Sequence, residues 1–462
     1  MNELDDTLDA GTIARIVGGR LSGNSRSAVV RARADSRLCR PGDLYVALPG
    51  ERTDGSLFVE SAWSAGSSVV LADQTRRVPR PPKGKALVEV SDPLASLQRL
   101  AKTRREQAAG LKVVGITGSN GKTTTKEILA AILFDWKAEN VLATEGNYNS
   151  EIGLPLTMID LRARHELAVL EMGMNRRGEM ALLADIGKPD VAVITNIGSA
   201  HEGMLGSRKA VAEEKRAIFN GAGKDTVAVI GADEPWKDFL LEHFPGVVRQ
   251  FGAWGLDGWE SSENRGLDGY RLVRSGRAID FRLPGRHSVL NAMAAVAAAS
   301  ALGAPEDSIV KGLESVKASF GRSEVMRGRV TVIRDCYNAN PESLQAALDL
   351  FAETEAKGNR VLVLGELLEL GGETEGALRK AGGAAVAAGP DVLFLYGESM
   401  SLVETAAKDA GFDGQLRCFT DIGELELALS AVLGDGDLVL LKGSRGSALE
   451  RLNQVFTEVG AG

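Results

Sequence analysis

Residues 115–125 read Gly115-Ile116-Thr117-Gly118-Ser119-Asn120-Gly121-Lys122-Thr123-Thr124-Thr125. Closely spaced glycines let backbone N–H groups crowd toward phosphate oxygens. A helix that begins where such a turn ends points its positive end at the same anion. Lys122 is placed to reach the β- and γ-phosphates of a nucleotide, and the Thr123 hydroxyl to hold Mg²⁺. The strict G-x-x-x-x-G-K-[ST] pattern fails at one position, because Ile116 stands where its first glycine belongs. What is present is G-x-x-G-x-x-G-K-T.

Two further groups stand at comparable places. Glu171 ends the strand-like stretch ELAVLE, and His201 follows VAVITN within a short loop. Ligands of open α/β sheets bind outside the carboxyl ends of the strands, so Thr123, Glu171 and His201 are expected to converge on one cation. Hard oxygen ligands suit Mg²⁺, whereas a histidine ligand suits Mn²⁺ equally well. Lys215, in AEEKRAIF, reads first as a lysine on an exposed helix face. Asn291, in HSVLNA, is an amide on an Ala-rich apolar helix; it needs a hydrogen-bond partner, and an adenine edge is one candidate. Two turns in the last third are either anion-receptive or simply capped helix starts. One is Asp335-Cys336-Tyr337-Asn338-Ala339-Asn340-Pro341, where Pro341 begins a helix. The other is Lys442-Gly443-Ser444-Arg445, where backbone donors and two cations precede the final helix.

Such residues need strand–turn–helix units to hold them, and the apolar periodicity supplies these. A helix pattern (Leu94, Leu97, Leu100, Ala101) leads into the strand Lys112–Ile116, and a second helix runs from the glycine turn through Leu133. Strands follow at Leu167–Glu171, Val191–Thr195 and Val227–Ile230, then a small antiparallel excursion over 247–283 and an Ala-rich helix, His287–Leu302. This alternation predicts a parallel sheet with helices on both faces. The last third repeats it, with strands at Arg360–Leu364, Val392–Tyr396, Leu416–Phe419 and Leu438–Leu441. Helices are expected near 375–388, 399–410, 422–433 and 447–459. The first 85 residues read as short strands (Ala28–Arg33, Asp43–Ala47, Ser68–Leu71) of a small domain with an Arg-lined face. The expected fold class is α/β in three domains. These are a small α/β N-terminal domain (1–90), a central P-loop-type parallel-sheet domain (91–320) and a C-terminal Rossmann-like doubly wound domain (321–462).

Composition excludes several function classes. A length of 462 residues agrees with about three domains. The formal net charge of −8 argues against a general nucleic-acid binder, although the first 85 residues are net basic. Apolar content of 44% with 25% charged residues excludes wholesale disorder. Cys39, Cys336 and Cys418 are odd in number and far apart, so neither a disulfide framework nor a zinc site is expected, and a reduced cytoplasm is. The acidic MNELDDTLDA start has no apolar signal region. The most apolar stretch, Ser288–Leu302, falls short of the ~18 residues of a membrane span. A soluble cytoplasmic protein with neither nucleic-acid nor membrane partners is expected.

Taken in order, TGSNGKTTTKE, EGNYNSEIGLPLT, EMGMNRRGE, TNIGSAHEGMLGS, AEEKRAIF, HSVLNAMAA, YNANPESLQAAL, GELLELG and LLKGSRGSALE resemble the Mur ligases, ATP-dependent amide-bond-forming enzymes of peptidoglycan synthesis. The resemblance runs from about Ser36 to about Glu450. It implies that residues 1–90 grip the uridine diphosphate of a nucleotide-sugar substrate, 91–320 bind ATP, and 321–462 receive the amine donor. By motif, Gly118, Ser119, Asn120, Gly121, Lys122, Thr123 and Thr124 cradle ATP, with Asn291 and Asn338 near the nucleotide and Arg322 contacting it. Thr123, Glu171 and His201 serve Mg²⁺. Lys215 matches a family lysine that is often carbamylated, which turns a cation into an anion able to help hold a second ion. Lys122, Lys215 and His201 form the implied catalytic set. Ser36, Arg37 and the Pro49–Gly55 stretch with Asp54 match the nucleotide-sugar site, and Thr144, Asn147 and Asn149 match substrate-facing positions. Lys442 and Ser444 are taken as substrate-binding.

Three positions depart from the family pattern. The family commonly has His at Ser56 and Glu at Ala217, and often His near Leu378. The activity implied is ligation of D-alanyl-D-alanine to the terminal carboxylate of UDP-N-acetylmuramoyl-tripeptide through an acyl phosphate, with ATP and Mg²⁺, by a monomer. A ligase adding a single amino acid, either another Mur ligase or one like folylpolyglutamate synthase, is the alternative. A kinase and a nucleotide switch are rivals from other classes.

Overall fold

Short aliphatic runs bounded by glycine turns make the strands of three parallel or mainly parallel sheets. A computed structural model describes them over residues 4, 6–50, 53–252, 256–368, 370 and 374–458. The first sheet has five strands: β1 (Arg20–Gly23), β2 (Arg31–Arg33), β3 (Asp43–Val46), β4 (Val69–Asp73) and β5 (Ala86–Val90). Their order is β1-β5-β4-β3-β2, and only the β1–β5 pair is antiparallel. The expected strand Ala28–Arg33 is broken. Ala28–Val29 pairs with Leu8–Asp9, whereas Arg31–Arg33 joins the sheet as β2.

Helix α1 (Pro93–Gln107) starts at Asp92, whose carboxylate accepts the Ala95 N–H, with Pro93 in the first turn. Its buried face (Leu97, Leu100, Ala101) belongs to one apolar cluster that runs from Val88 and Val90 to Leu111 and Val113. The first and second sheets therefore share a continuous core.

The central sheet contains β6 (Lys112–Thr117), β7 (Val141–Ala143), β8 (Leu167–Glu171), β9 (Val191–Ile194), β10 (Val227–Gly231) and β11 (Val247–Phe251), all parallel in the order β11-β10-β9-β6-β8-β7. Val113 packs into one core and Val114 and Ile116 into another, so helices cover both faces. The chain winds outward from β6 first to one side and then to the other. That switch point is where an open α/β sheet binds its ligand, and it lies at the glycine turn. Helix α2 (Lys122–Lys137) begins there, with Gly121 at its N-cap and no side chain capping its first turn.

The antiparallel excursion is smaller than expected. It comprises β12 (Trp259–Asn264), β13 (Tyr270–Arg274) and β14 (Arg277–Phe281). Residues 247–251 instead return parallel beside β10, because the helix Lys237–Leu241 intervenes as a crossover. Helices α3 (Arg208–Arg216) and α4 (Arg286–Ala301) complete this region.

The third sheet holds β15 (Glu324–Arg327), β16 (Thr331–Asp335), β17 (Arg360–Gly365), β18 (Val392–Tyr396), β19 (Gln415–Phe419) and β20 (Leu438–Lys442), ordered β15-β16-β20-β17-β18-β19. Only β15 pairs antiparallel. Helix α5 (Pro341–Glu353) carries a reciprocal capping box between Asn340 and Ser343. The final helix departs from expectation. Arg445–Ser447 and Leu449–Leu452 are 3₁₀ turns separated by Ala448 at φ +47°, and the α-helix begins only at Asn453. Among the described residues no helix is long and apolar enough to cross a membrane.

Candidate active site

A cavity of about 640 Å³ lies at the carboxyl ends of the central strands, and residues of the third sheet form its opposite wall. The glycine turn is shaped by what surrounds it. Gly118 has φ +153°, and a Cβ there would lie 1.8 Å from Thr195 Oγ1. Gly121 has φ +81°, and a Cβ there would lie 2.2 Å from Asn291 Oδ1. The loop that follows β9 braces the turn. Ser119 Oγ accepts the Gly198 N–H at 2.8 Å, and the Asn120 N–H donates to Asn196 Oδ1 at 3.0 Å. Lys122 Nζ folds over the turn to donate to Gly118 O at 2.7 Å.

Beside the turn, Thr123 Oγ1 donates to Glu171 Oε1 at 3.1 Å, and Asn149 Nδ2 donates to the same oxygen at 2.7 Å. Glu171 Oε2 is buried and accepts no hydrogen bond among the described residues. His201 lines the same cavity, held at φ +65°. These donors fit a hard divalent cation. Among the described residues no three His, Cys, Asp or Glu side chains gather into a cage.

Lys215 is not on an exposed helix face. It is wholly buried in α3, and its Nζ donates to Gly118 O at 3.1 Å. Burial, reinforced by the nearby Lys122 charge, pushes its pKa well below that of an ordinary lysine. Its neighbour Glu214 accepts the Gly178 and Met180 N–H groups at 2.9 and 2.8 Å, tying α3 to the EMGMNRRGE segment.

Across the cavity, the Arg322 guanidinium lies 4.1 Å from the Tyr337 ring centroid. Asn338 lines the wall, and its carbonyl accepts from Lys442 Nζ at 2.8 Å. Lys442 also pairs with Asp335 at 2.8 Å and is almost wholly buried. The Ser444 N–H donates to Glu366 O, and its hydroxyl accepts the Leu368 N–H. Lys442, Arg445 and the Ser444 N–H, three of the donors expected to form an anion site in this turn, thus already have protein partners, Arg445 pairing with Glu450.

Other expected residues are dispersed. Thr144 is buried, its hydroxyl accepting the Glu171 N–H at 3.0 Å, while Asn147 is exposed outside the cavity lining. Ser36, Arg37 and Asp54 sit on the first domain and do not line the cavity. Ser36 is buried, and Arg37 is exposed and paired with Asp35. Ser56 contributes through its backbone first and its hydroxyl second. Its N–H donates to Asp54 at 2.9 Å and lowers that carboxyl's pKa, with Arg76 a further ion-pair partner. Leu378 packs in the third sheet's core, and Ala217 follows α3 in a 3₁₀ turn. Glu51 and Arg52, within the Pro49–Gly55 stretch, lie outside the described residues, as do Glu369 and Gly371 of GELLELG.

Sequence reasoning missed Asn196, Ser199 and Glu342, and it placed Asn340 only within a turn that is anion-receptive or a capped helix start. Asn340 Nδ2 donates to Asn120 Oδ1 at 2.7 Å, joining the third domain to the glycine turn.

Residues 116–299 match the Mur ligase middle domain, 321–445 the Mur ligase glutamate ligase domain, and 32–105 the Mur ligase family catalytic domain. The chain belongs to the Mur ligase family. It is accordingly an ATP-dependent ligase that forms a carbon–nitrogen bond. A Mur ligase of Bacillus subtilis, named UDP-N-acetylmuramoyl-tripeptide–D-alanyl-D-alanine ligase, is 38% identical over 95% of this chain and 96% of its own. The crystal structure of MurF from Acinetobacter baumannii matches with a TM-score of 0.85 at 30% identity, covering 98% of this chain and 100% of that one. MurF from Thermotoga maritima, solved with ADP, matches at 0.77 and 28%, covering 93% and 97%.

Proposed function

We propose that this Mur ligase joins D-alanyl-D-alanine to the terminal carboxylate of UDP-N-acetylmuramoyl-tripeptide, making the UDP-linked pentapeptide precursor of peptidoglycan. One observation carries the reading: the glycine turn, Glu171 and His201 face Tyr337, Asn338 and Lys442 across a single cavity. The name of the Bacillus subtilis relative supports these two substrates.

An acceptor carboxylate oxygen attacks the γ-phosphorus of ATP, and the bond to the β-phosphate oxygen breaks, leaving ADP and an acyl phosphate. The dipeptide amine then attacks the acyl carbon, loses a proton and expels phosphate. Two anions must approach in the first step. The amides of the glycine turn and the Lys122 ammonium, moved from Gly118 O onto the phosphates, neutralise charge there. Thr123, Glu171 and His201 would hold Mg²⁺, which supplies further charge neutralisation on the phosphoryl oxygens. Arg322 and Asn291 flank the nucleotide. Burial of Lys215 favours the neutral amine, the form that adds carbon dioxide, and the resulting carbamate would place an anion beside the turn to help hold a second ion. Ser36, Arg37 and Asp54 belong to the nucleotide-sugar site, and Asn149 orients Glu171. The third domain excludes water from the acyl phosphate. The reaction belongs in the cytoplasm, and the enzyme acts as a monomer.

The test is ADP release over a small matrix of acceptors and donors. Release is expected only with the UDP-linked tripeptide and D-alanyl-D-alanine together. Equal release with a single amino acid as donor would transfer the chain to another reaction of the family.

A further inference from the structure

Lys126 lies one turn beyond Lys122 on α2, and the mechanism makes no use of it. Its side chain is only 2% exposed. Removing an ammonium from water costs several kcal/mol unless its partners compensate, so the identity of those partners is informative. Nζ donates to the Thr144 carbonyl at 3.1 Å and pairs with Glu127 Oε1 at 2.5 Å.

Thr144 is the residue just beyond β7, and it is bonded to β8 twice. Its N–H donates to Val169 O at 2.9 Å, and its hydroxyl accepts the Glu171 N–H at 3.0 Å. Glu171 is the last residue of β8. Its Oε1 is filled by Thr123 and Asn149, while Oε2 stays buried without a hydrogen-bond partner. One chain of contacts therefore runs from the Lys126 ammonium, through Thr144, to the backbone that aims the Glu171 carboxylate. β7 is a three-residue edge strand, and a short edge strand leaves the end of the sheet loose unless something anchors it. Lys126 is that anchor, and it projects from the helix whose first turn carries Lys122 and Thr123. The phosphate turn and the Glu171 carboxylate are in this way tied to one rigid element.

We propose that Lys126 is a positioning residue, which holds the end of β7 through the Thr144 carbonyl so that Glu171 presents its second oxygen to a divalent cation. The inference rests on the reading above only where that reading gives the cation to Glu171. Groups that orient a metal ligand typically contribute ~10–100-fold to metal affinity.

The test measures Mn²⁺ binding to the full-length protein by electron paramagnetic resonance, with a non-hydrolysable ATP analogue saturating. Lys126→Met, similar in length and uncharged, is expected to weaken Mn²⁺ by roughly tenfold or more while analogue binding without metal is unchanged. Thr144→Val should weaken it as well, and Thr144→Ser, which keeps the hydroxyl, should not. The Lys126→Met/Thr144→Val pair should be no weaker than the weaker single variant, because both interrupt one chain of contacts. Unchanged Mn²⁺ affinity in Lys126→Met, even with a lowered melting temperature, would overturn the proposal, as would full additivity. Should Lys126→Met not fold, the Val and Ser variants at Thr144 decide: equal affinity in both overturns it. Absence of Mn²⁺ binding by the wild-type protein would overturn the Glu171 assignment itself, an outcome distinct from failure at Lys126.

Discussion

Glu342, in the first turn of α5, accepts two hydrogen bonds from Ser199, from its N–H at 3.0 Å and its hydroxyl at 2.6 Å. Arg208 pairs with the same carboxylate at 3.2 Å. Ser199 stands two residues before His201 in the loop that braces the glycine turn, so the third domain is fastened to the nucleotide site through this carboxylate. Glu342→Ala removes both contacts. Hydrogen bonds to a charged acceptor contribute about 1.5–3 kcal/mol each, so ligation is expected to fall on the order of tenfold or more. Comparing ADP released with peptide bonds formed checks the cause, since a loosened domain should let more acyl phosphate be lost to water.

Lys122→Ala is expected to lower kcat by roughly 10², the magnitude of other single electrostatic donors. Steady-state ADP release measures this. Near-normal turnover would remove Lys122 from the phosphate site.

Gly121→Ala places a Cβ 2.2 Å from Asn291 Oδ1 at a φ of +81°. The left-handed backbone alone costs about 1–2 kcal/mol in an L-residue, and the contact adds to it. A lowered melting temperature together with weaker binding of an ATP analogue is expected. Loss of stability with intact nucleotide binding would separate Asn291 from the site.

Carbamate formation at Lys215 requires the neutral amine, and burial shifts the lysine toward that form. Lys215→Ala should be inactive and partly rescued by short-chain carboxylic acids. Wild-type activity should drop when bicarbonate is stripped from the buffer, and carbon-13 bicarbonate should give a carbamate resonance. Full activity without any carbon dioxide source would leave Lys215 as an unmodified buried amine.

Acid sensitivity should arise in part at His165. Burial, then the charges of Arg164 and Arg162, lowers its pKa from 6.5 to about 4. Its Nδ1 accepts the Arg162 N–H at 3.0 Å, which requires an uncharged nitrogen. The unfolded chain takes up a proton as pH falls through 6.5, whereas the folded chain resists until about 4. Stability is therefore present above that window and lost as pH falls across it. Thermal unfolding of His165→Asn should show a smaller loss over the same pH range than the wild-type protein.

The phosphate turn was legible because everything that makes it is local: an aliphatic strand, three glycines and a helix lie within one short stretch. The same locality gave away Glu171, since the end of a strand in a parallel sheet has one natural place. The final helix was misread because an apolar pattern does not register a left-handed residue such as Ala448, which breaks the run into 3₁₀ turns. For Lys215, the local pattern alone gave an exposed helix face, and only the family motif pointed to the site. A lysine on a helix is ordinarily exposed, and only the packing of α3 under Gly118 shows that this one is buried.

Unaided, the linear order of residues determined the α/β class, the three-part organisation, the nucleotide turn and the family, since each rests on patterns a few residues long. The fold alone decided that Asn340 meets Asn120 across 220 residues and that Glu342 meets Ser199 across 143. It also decided that the Thr144 hydroxyl accepts the Glu171 N–H. Such contacts have no signature along the chain, because a hydrogen bond depends on distance and angle in space, and these are settled only when the sheets have packed.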